Sequence, residues 1–188
     1  MRITARGSDL RRAFSIVSDA VPSKPALPVL ANVLIVADSE GLFITASSLD
    51  ITIRTKVDAT IGEMGCLTVP AKITREIISE WPDEDIDITS DNESMILTSD
   101  AGQYTLQGML SDDFPEMPEK MDGTVIPIGG SGIDPVVMAD MITKTSFAVS
   151  QDETRPVLQG VFCRTSEEGV SMVSTDGHRL ACYNYPIM

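Results

Sequence analysis

This chain repeats itself, and the repeat constrains its fold more than any other feature. Pro28-Val29-Leu30-Ala31-Asn32-Val33-Leu34 returns as Pro156-Val157-Leu158-Gln159-Gly160-Val161-Phe162, an offset of 128 residues. The same offset pairs Glu40-Gly41 with Glu168-Gly169 without a gap. It also pairs the apolar stripe Leu10, Ala13, Phe14, Ala20, Val21 with Met138, Met141, Ile142, Ala148, Val149, weakened only where Val17 faces Thr145. A helical stripe, a proline-led strand entry and a turn glycine in one register mark two copies of one module. By extension of the offset a full second copy would reach about residue 250, whereas the 188 residues reach only the equivalent of Thr60. The organisation expected is a complete first domain at 1–122, a linker at 123–131 marked by the turn signals Asp122-Gly123 and Gly129-Gly130, and an incomplete second domain at 132–188.

Within one module, residues 8–21 place Leu10, Ala13, Phe14, Val17 and Val21 at spacings of three and four, which predicts an amphipathic helix. In the second copy Asp134 stands at the expected N-cap and Pro135 at the first helical position. A second helix is expected after Pro70, with Ile73, Ile77 and Trp81 on its apolar side and Pro82 ending it. Short strands are expected at 32–37, 42–47, 50–57, 85–90, 95–99 and 102–107, where apolar and polar residues alternate between turn signals. The fold class is therefore α+β, with tandem domains of two helices packed on antiparallel sheet.

A net charge of −14 repels phosphate backbones on average. Four of the 14 basic residues, Arg2, Arg6, Arg11 and Arg12, nevertheless fall in the first twelve positions, so a local basic face remains open. No apolar run approaches the roughly 20 residues of a membrane span, and the N-terminus lacks the apolar stretch of a signal peptide. A cytoplasmic protein without a membrane partner is expected. Cys66, Cys163 and Cys182 are odd in number and widely spaced, which predicts buried or idle thiols rather than a metal or redox site. The carboxylates Asp83, Glu84, Asp85 and Asp87 read as a solvated turn rather than a cation site, and no metal or cofactor is expected. His178 is the only histidine. A small hydrolase centred on it, with Ser174 and Asp176, is one alternative, although the three are crowded in one turn and no Gly-x-Ser-x-Gly elbow exists. A purely structural tandem domain is another.

The run Ser174-Thr175-Asp176-Gly177-His178-Arg179-Leu180-Ala181 closely resembles the signature of the bacterial DNA polymerase III beta subunits, the sliding clamps. In the same order, Leu27-Pro28-Val29-Leu30 with Asn32, Thr68-Val69-Pro70-Ala71, Asp113-Phe114-Pro115 and Thr154-Arg155-Pro156-Val157-Leu158 with Gly160-Val161 also look like stretches of that family. The resemblance covers the whole chain and about half of a family member. It implies a tandem clamp fold and a non-catalytic processivity factor, which encircles duplex DNA and tethers the replicative DNA polymerase. It also implies an ATP-dependent clamp loader and repair proteins with clamp-binding peptides as partners, and a head-to-tail self-dimer at full length. A partner-peptide pocket would draw on Leu158, Thr175, Gly177, His178, Arg179 and Leu180, with the leucines as apolar wall. Residues toward DNA would be Lys24, Arg11, Lys72, Arg75, Lys144 and Gln151. From the residues alone, Asp176-Gly177 also reads as an ordinary turn between strands, and both readings can hold together.

Overall fold

The structure is a computed structural model that describes residues 1–91, 93–116, 127–130, 132–166 and 168–186. In chain order the elements are β1 (Arg2–Arg6), α1 (Gly7–Val17), β2 (Asn32–Asp38), β3 (Gly41–Ser47), β4 (Thr52–Val57), β5 (Ala59–Glu63), β6 (Gly65–Pro70), α2 (Ala71–Glu80), β7 (Asp85–Asp91), β8 (Ser94–Ser99), β9 (Gly102–Gln107), α3 (Pro135–Ser146), β10 (Phe162–Ser166), β11 (Gly169–Thr175) and β12 (Leu180–Pro186). They fall into two units, Met1–Glu119 and Lys120–Met188. The expected domain end at 122 and most of the expected linker at 123–131 lie outside the described residues.

The first unit has two antiparallel sheets, ordered β5-β1-β7-β8-β9 and β4-β3-β2-β6. Alternation puts Val33, Ile35 and Ala37 of β2, Leu42, Ile44 and Ala46 of β3, and Ile86 and Ile88 of β7 into one core with Leu10 and Phe14 of α1. Each such large side chain fully buried contributes about 1.5–3 kcal/mol of transfer free energy. The helix expected over 8–21 ends at Val17 and continues as a 3-10 turn, Ser18–Ala20. There the Ser18 hydroxyl donates to the Phe14 carbonyl at 2.5 Å, a side-chain bond that competes with the helical ladder, and Pro22 cannot extend it.

Helix α2 departs from the expected face at Ile73, while Trp81 is in the core and Ile77 packs against it. Ala71, Thr74 and Ile78 are buried with Trp81, while Ile73 is exposed. Thr74 is buried without penalty because its hydroxyl donates to the Pro70 carbonyl at 2.7 Å. The strands β1, β5 and β6 were not expected. β1 carries only Ile3 and Ala5 between polar residues, too short a pattern to read, yet it lies between β5 and β7. The strand expected from 50 begins at Thr52, because residues 48–51 turn, with the Ser48 amide donating to the Ile51 carbonyl at 2.9 Å.

In the second unit the Asp134 carboxylate accepts the Val136 amide at 2.8 Å, capping α3 as its sequence predicts. The β10-β11-β12 sheet packs Val170 and Met172 against Met141 of α3. The 128-residue offset holds in three dimensions. Leu34↔Thr45 and Asp38↔Gly41 in the first unit become Phe162↔Val173 and Ser166↔Gly169, while Leu42↔Val57 and Ser47↔Thr52 become Val170↔Tyr185 and Thr175↔Leu180. Gly41 and Gly169 share φ of 141° and 142°, and a Cβ at Gly169 would lie 2.1 Å from the Tyr185 carbonyl oxygen. That strand entry therefore needs glycine.

Of the expected buried or idle thiols, burial is overturned: all three cysteines are free and exposed. Cys163 lies on β10, which is exposed along its length, and Cys66 hydrogen-bonds Ser111 at 3.0 Å. No helix is long and apolar enough to cross a membrane among the described residues.

Candidate functional site

β11 delivers Thr175 and β12 begins at Leu180, so the four residues between them close a hairpin. The Gly177 amide donates to the Thr175 hydroxyl at 3.1 Å, and that hydroxyl donates to the Arg179 carbonyl at 2.6 Å. One oxygen of Asp176 accepts the His178 amide at 2.9 Å and the Arg179 amide at 3.0 Å; the other accepts Arg179 Nε at 2.8 Å. The His178 amide first, then the Arg179 amide and guanidinium, hold the Asp176 carboxyl well below the usual range, at about 2. Gly177 has φ of 91°, a conformation that side-chain-bearing residues rarely adopt.

Exposed apolar side chains occur at the end of this turn and on the 156–158 segment. Leu180 is 65% exposed and Val157 is 87% exposed, while Leu158 is half-buried with its carbonyl accepting the Ser150 amide at 2.9 Å. The Arg179 guanidinium stands 5.6 Å from the centre of the exposed Phe147 ring. A guanidinium nitrogen of Arg155 lies 3.5 Å from where a Cβ of Gly177 would be. The structure thus brings Arg155 and Phe147 to the expected turn, although neither was singled out from sequence. Arg155 lay within the Thr154-to-Leu158 run that carried part of the resemblance. Phe147 gave no signal, since its counterpart one repeat earlier is Asp19.

The hydrolase reading fails on geometry. Ser174 is buried, and its hydroxyl donates to the Thr145 carbonyl rather than facing His178. Asp176 is committed to its own turn. The acidic run is likewise occupied by protein partners: Asp83 accepts the Ser8 amide, Glu84 accepts Trp81 Nε1 and the Ser99 hydroxyl, and Asp87 accepts the Thr4 hydroxyl. Among the described residues no three His, Cys, Asp or Glu side chains are grouped to hold a metal ion.

The six residues expected toward DNA divide. Lys24, Lys72, Arg75 and Gln151 are exposed. Lys72 and Arg75 line an open groove of about 640 Å³ with Ser18, Val21, Pro22 and Pro25. Arg11 instead donates to the Trp81 carbonyl at 2.7 Å, fastening α1 to the end of α2. Lys144 donates to Asp140 at 2.7 Å.

Comparison with known proteins gives one family throughout. Residues 1–118 match the model of the DNA polymerase III beta subunit N-terminal domain, and residues 132–188 match that of its central domain. The beta sliding clamp of Synechococcus elongatus is 36% identical over 184 residues, covering 96% of this chain and 48% of the relative. That of Bacillus subtilis is 30% identical over 190 residues. The crystal structure of the Bacillus subtilis DNA polymerase sliding clamp superposes with a TM-score of 0.87 at 28% identity, covering all of this chain and 50% of that one. The Caulobacter crescentus pol III beta structure gives 0.86 at 30% identity. The chain spans about half the length of the curated relatives it matches. With two successive family domains matched in order over a duplicated fold, the chain belongs to the DNA polymerase III beta subunit family.

Proposed function

We propose that the chain acts as a DNA sliding clamp, a non-catalytic processivity factor that encircles duplex DNA in the cytoplasm and tethers the replicative polymerase to it. The single observation that carries this reading is the match of two consecutive beta subunit domains, in order, along the chain. Self-association head to tail, an ATP-dependent loader and repair proteins complete the proposed partners. The acidic balance suits the task. A tether that holds DNA by topology must slide, and every phosphate contact adds an affinity term that falls by about 0.9 log unit per log unit of salt.

In this reading the hairpin of Thr175, Gly177, His178, Arg179 and Leu180, with Leu158, receives short partner peptides. Leu158 and Leu180 supply apolar wall for an aromatic or leucine anchor, and Arg179 orients the peptide. Lys24, Lys72 and Arg75 supply weak positive charge toward the duplex, joined by Gln151. The test is binding of a fluorescent peptide rich in glutamine and leucine to the 188-residue chain. Saturable binding that Arg179→Ala weakens by about tenfold, the equivalent of 1.4 kcal/mol, supports the pocket. Absence of binding at about 1 mM peptide, where only about 4 kcal/mol of binding free energy would be needed, removes the pocket from the proposal.

A further inference from the structure

Lys144 is held by more than one group. Its ammonium donates to Asp140 Oδ2 at 2.7 Å across one turn of α3. Tyr183, from β12, donates its hydroxyl to the same Oδ2 at 3.3 Å, and its ring centre lies 5.3 Å from the ammonium. An exposed pair four residues apart on a helix would by itself be weak and readily opened. Here a second element fixes the carboxylate from below, and the aromatic face supports the cation. The Lys144 hydrogen bond first, with its charge and the Tyr183 hydroxyl, lowers the Asp140 pKa, and Asp140 raises that of Lys144. The pair therefore stays charged across the neutral range.

The first copy of the module lacks this device. One repeat earlier, the positions of Asp140, Lys144 and Tyr183 are held by Arg12, Ile16 and Thr55. Arg12 is exposed and forms no ion pair among the described residues. The module thus tolerates an uncovered cation at this place, while the second copy adds a carboxylate and a tyrosine hydroxyl that cover one.

We propose that Asp140, held in place by Tyr183, masks the charge of Lys144 and so sets how loosely this helix face meets duplex DNA. The proposal rests on the reading of α3 as DNA-facing. Asp140 acts on DNA through Lys144 and is a positioning residue.

The experiment measures fluorescence anisotropy of a labelled duplex with the full 188-residue chain across salt, comparing Asp140→Asn, Tyr183→Phe and the double variant Asp140→Asn/Lys144→Gln. Releasing Lys144 adds one phosphate contact, so Asp140→Asn should steepen the slope of log affinity against log salt by about 0.9. Its advantage over the unchanged chain should shrink about 3-fold between about 50 and about 200 mM salt. Tyr183→Phe should move the slope in the same direction by less, and Lys144→Gln on top of Asp140→Asn should abolish the gain. Glu168→Gln makes the same change of net charge in the exposed β10–β11 turn and should leave the slope unaltered. A slope unchanged by Asp140→Asn, or a gain equalled by Glu168→Gln or surviving loss of Lys144, overturns the masking. Thr143→Lys adds a cation at an exposed position of α3 and tests the underlying reading separately: if it leaves the salt slope of duplex binding unaffected, the DNA-facing reading of α3 falls, whatever Asp140→Asn does. Circular dichroism of each variant separates these effects from misfolding.

Discussion

The hairpin between β3 and β4 and the hairpin between β11 and β12 share a backbone and differ in chemistry. In the first, the Ser47 hydroxyl accepts the Leu49 amide at 3.2 Å and the Ser48 hydroxyl accepts the Ile51 amide at 3.2 Å. In the second, Thr175 accepts the Gly177 amide at 3.1 Å and Asp176 accepts the Arg179 amide at 3.0 Å. The second of the four residues in each turn is left-handed, Leu49 at φ 79° and Gly177 at φ 91°. Two hydroxyls are thus enough to fold this turn. The carboxylate, glycine and guanidinium of the second copy exceed what the turn needs, and of these Gly177 and Arg179 belong to the proposed peptide pocket.

The strand that leads into each hairpin's sheet differs as well. β2 is paired on both edges, by β3 and β6, whereas β10 pairs only with β11 among the described residues. β2 is buried at Val33, Ile35 and Ala37, while β10 is exposed throughout. The largest expected effect follows from this difference. Amides on the open edge of β10 should exchange with solvent on the order of 100-fold or more faster than those of β2, because local opening costs range from about zero up to the global stability. Equal protection of the two strands by hydrogen-exchange mass spectrometry would mean that another segment or another molecule covers β10, and the contrast between the copies would then vanish.

Next in size is the comparison of Asp176→Ala with Ser48→Ala. The first removes three hydrogen bonds and frees Arg179; the second removes one acceptor of an amide close to solvent. Peptide affinity should fall by about tenfold or more for Asp176→Ala, as for loss of an anchoring contact, and stay within about twofold for Ser48→Ala. Equal effects, read by the same fluorescence titration, would show that the second turn has no special role in binding.

The duplication, and with it most of the architecture, could be read from residues alone because strand-forming alternation and one proline-led entry survive at a constant offset. The cap at Asp134 and Pro135 was legible for the same reason: capping is local chemistry. Legibility failed where tertiary context decides. Ile73 looked like core, but packing set the buried face of α2 and brought in Thr74, whose hydroxyl is satisfied by the Pro70 carbonyl. The strand β1 had two apolar residues to announce it and still pairs on both sides. At the site, the run from Thr175 to Leu180 was visible as a unit, whereas Phe147 and Arg155 reach it through folding. The commitment of Arg11 to the Trp81 carbonyl likewise depends on where α2 ends, which no spacing in α1 encodes.

Exchanging the left-handed residues of the two turns gives a smaller effect. A side chain in this conformation costs about 1–2 kcal/mol, and glycine's extra freedom in the unfolded chain returns about 0.5–1 kcal/mol of that. Gly177→Leu should therefore destabilise the second unit by about 1 kcal/mol through its backbone conformation, since its Cβ would make only ordinary contact with Arg155 at 3.5 Å. Leu49→Gly should stabilise the first unit by up to about 1 kcal/mol, since Leu49 is 56% exposed and loses little packing. Urea unfolding of the two variants measures both, and changes of the same sign would mean that the turns are not conformationally equivalent in solution.

The smallest effect is confined to acid. The Asp176 carboxyl ionises at about 2 in the folded turn against an ordinary value of 3.8. Because the folded value is the lower one, its contribution is complete above about pH 4, declines as pH falls through the interval, and is gone below about 2. The first copy carries Ser48 at this position and has nothing to titrate there. The amide resonances of His178 and Arg179 should shift with a midpoint near 2, while that of Ile51 stays constant over the same range. Asp176→Asn retains an acceptor oxygen for the two amides but does not ionise, so both resonances should become flat in this variant. A midpoint near 3.8 in the unchanged chain would show that the Asp176 carboxylate is free in solution. The hairpin would then present Arg179 without the partner that orients it, and the chemical distinction between the two copies would reduce to the glycine and an unanchored guanidinium.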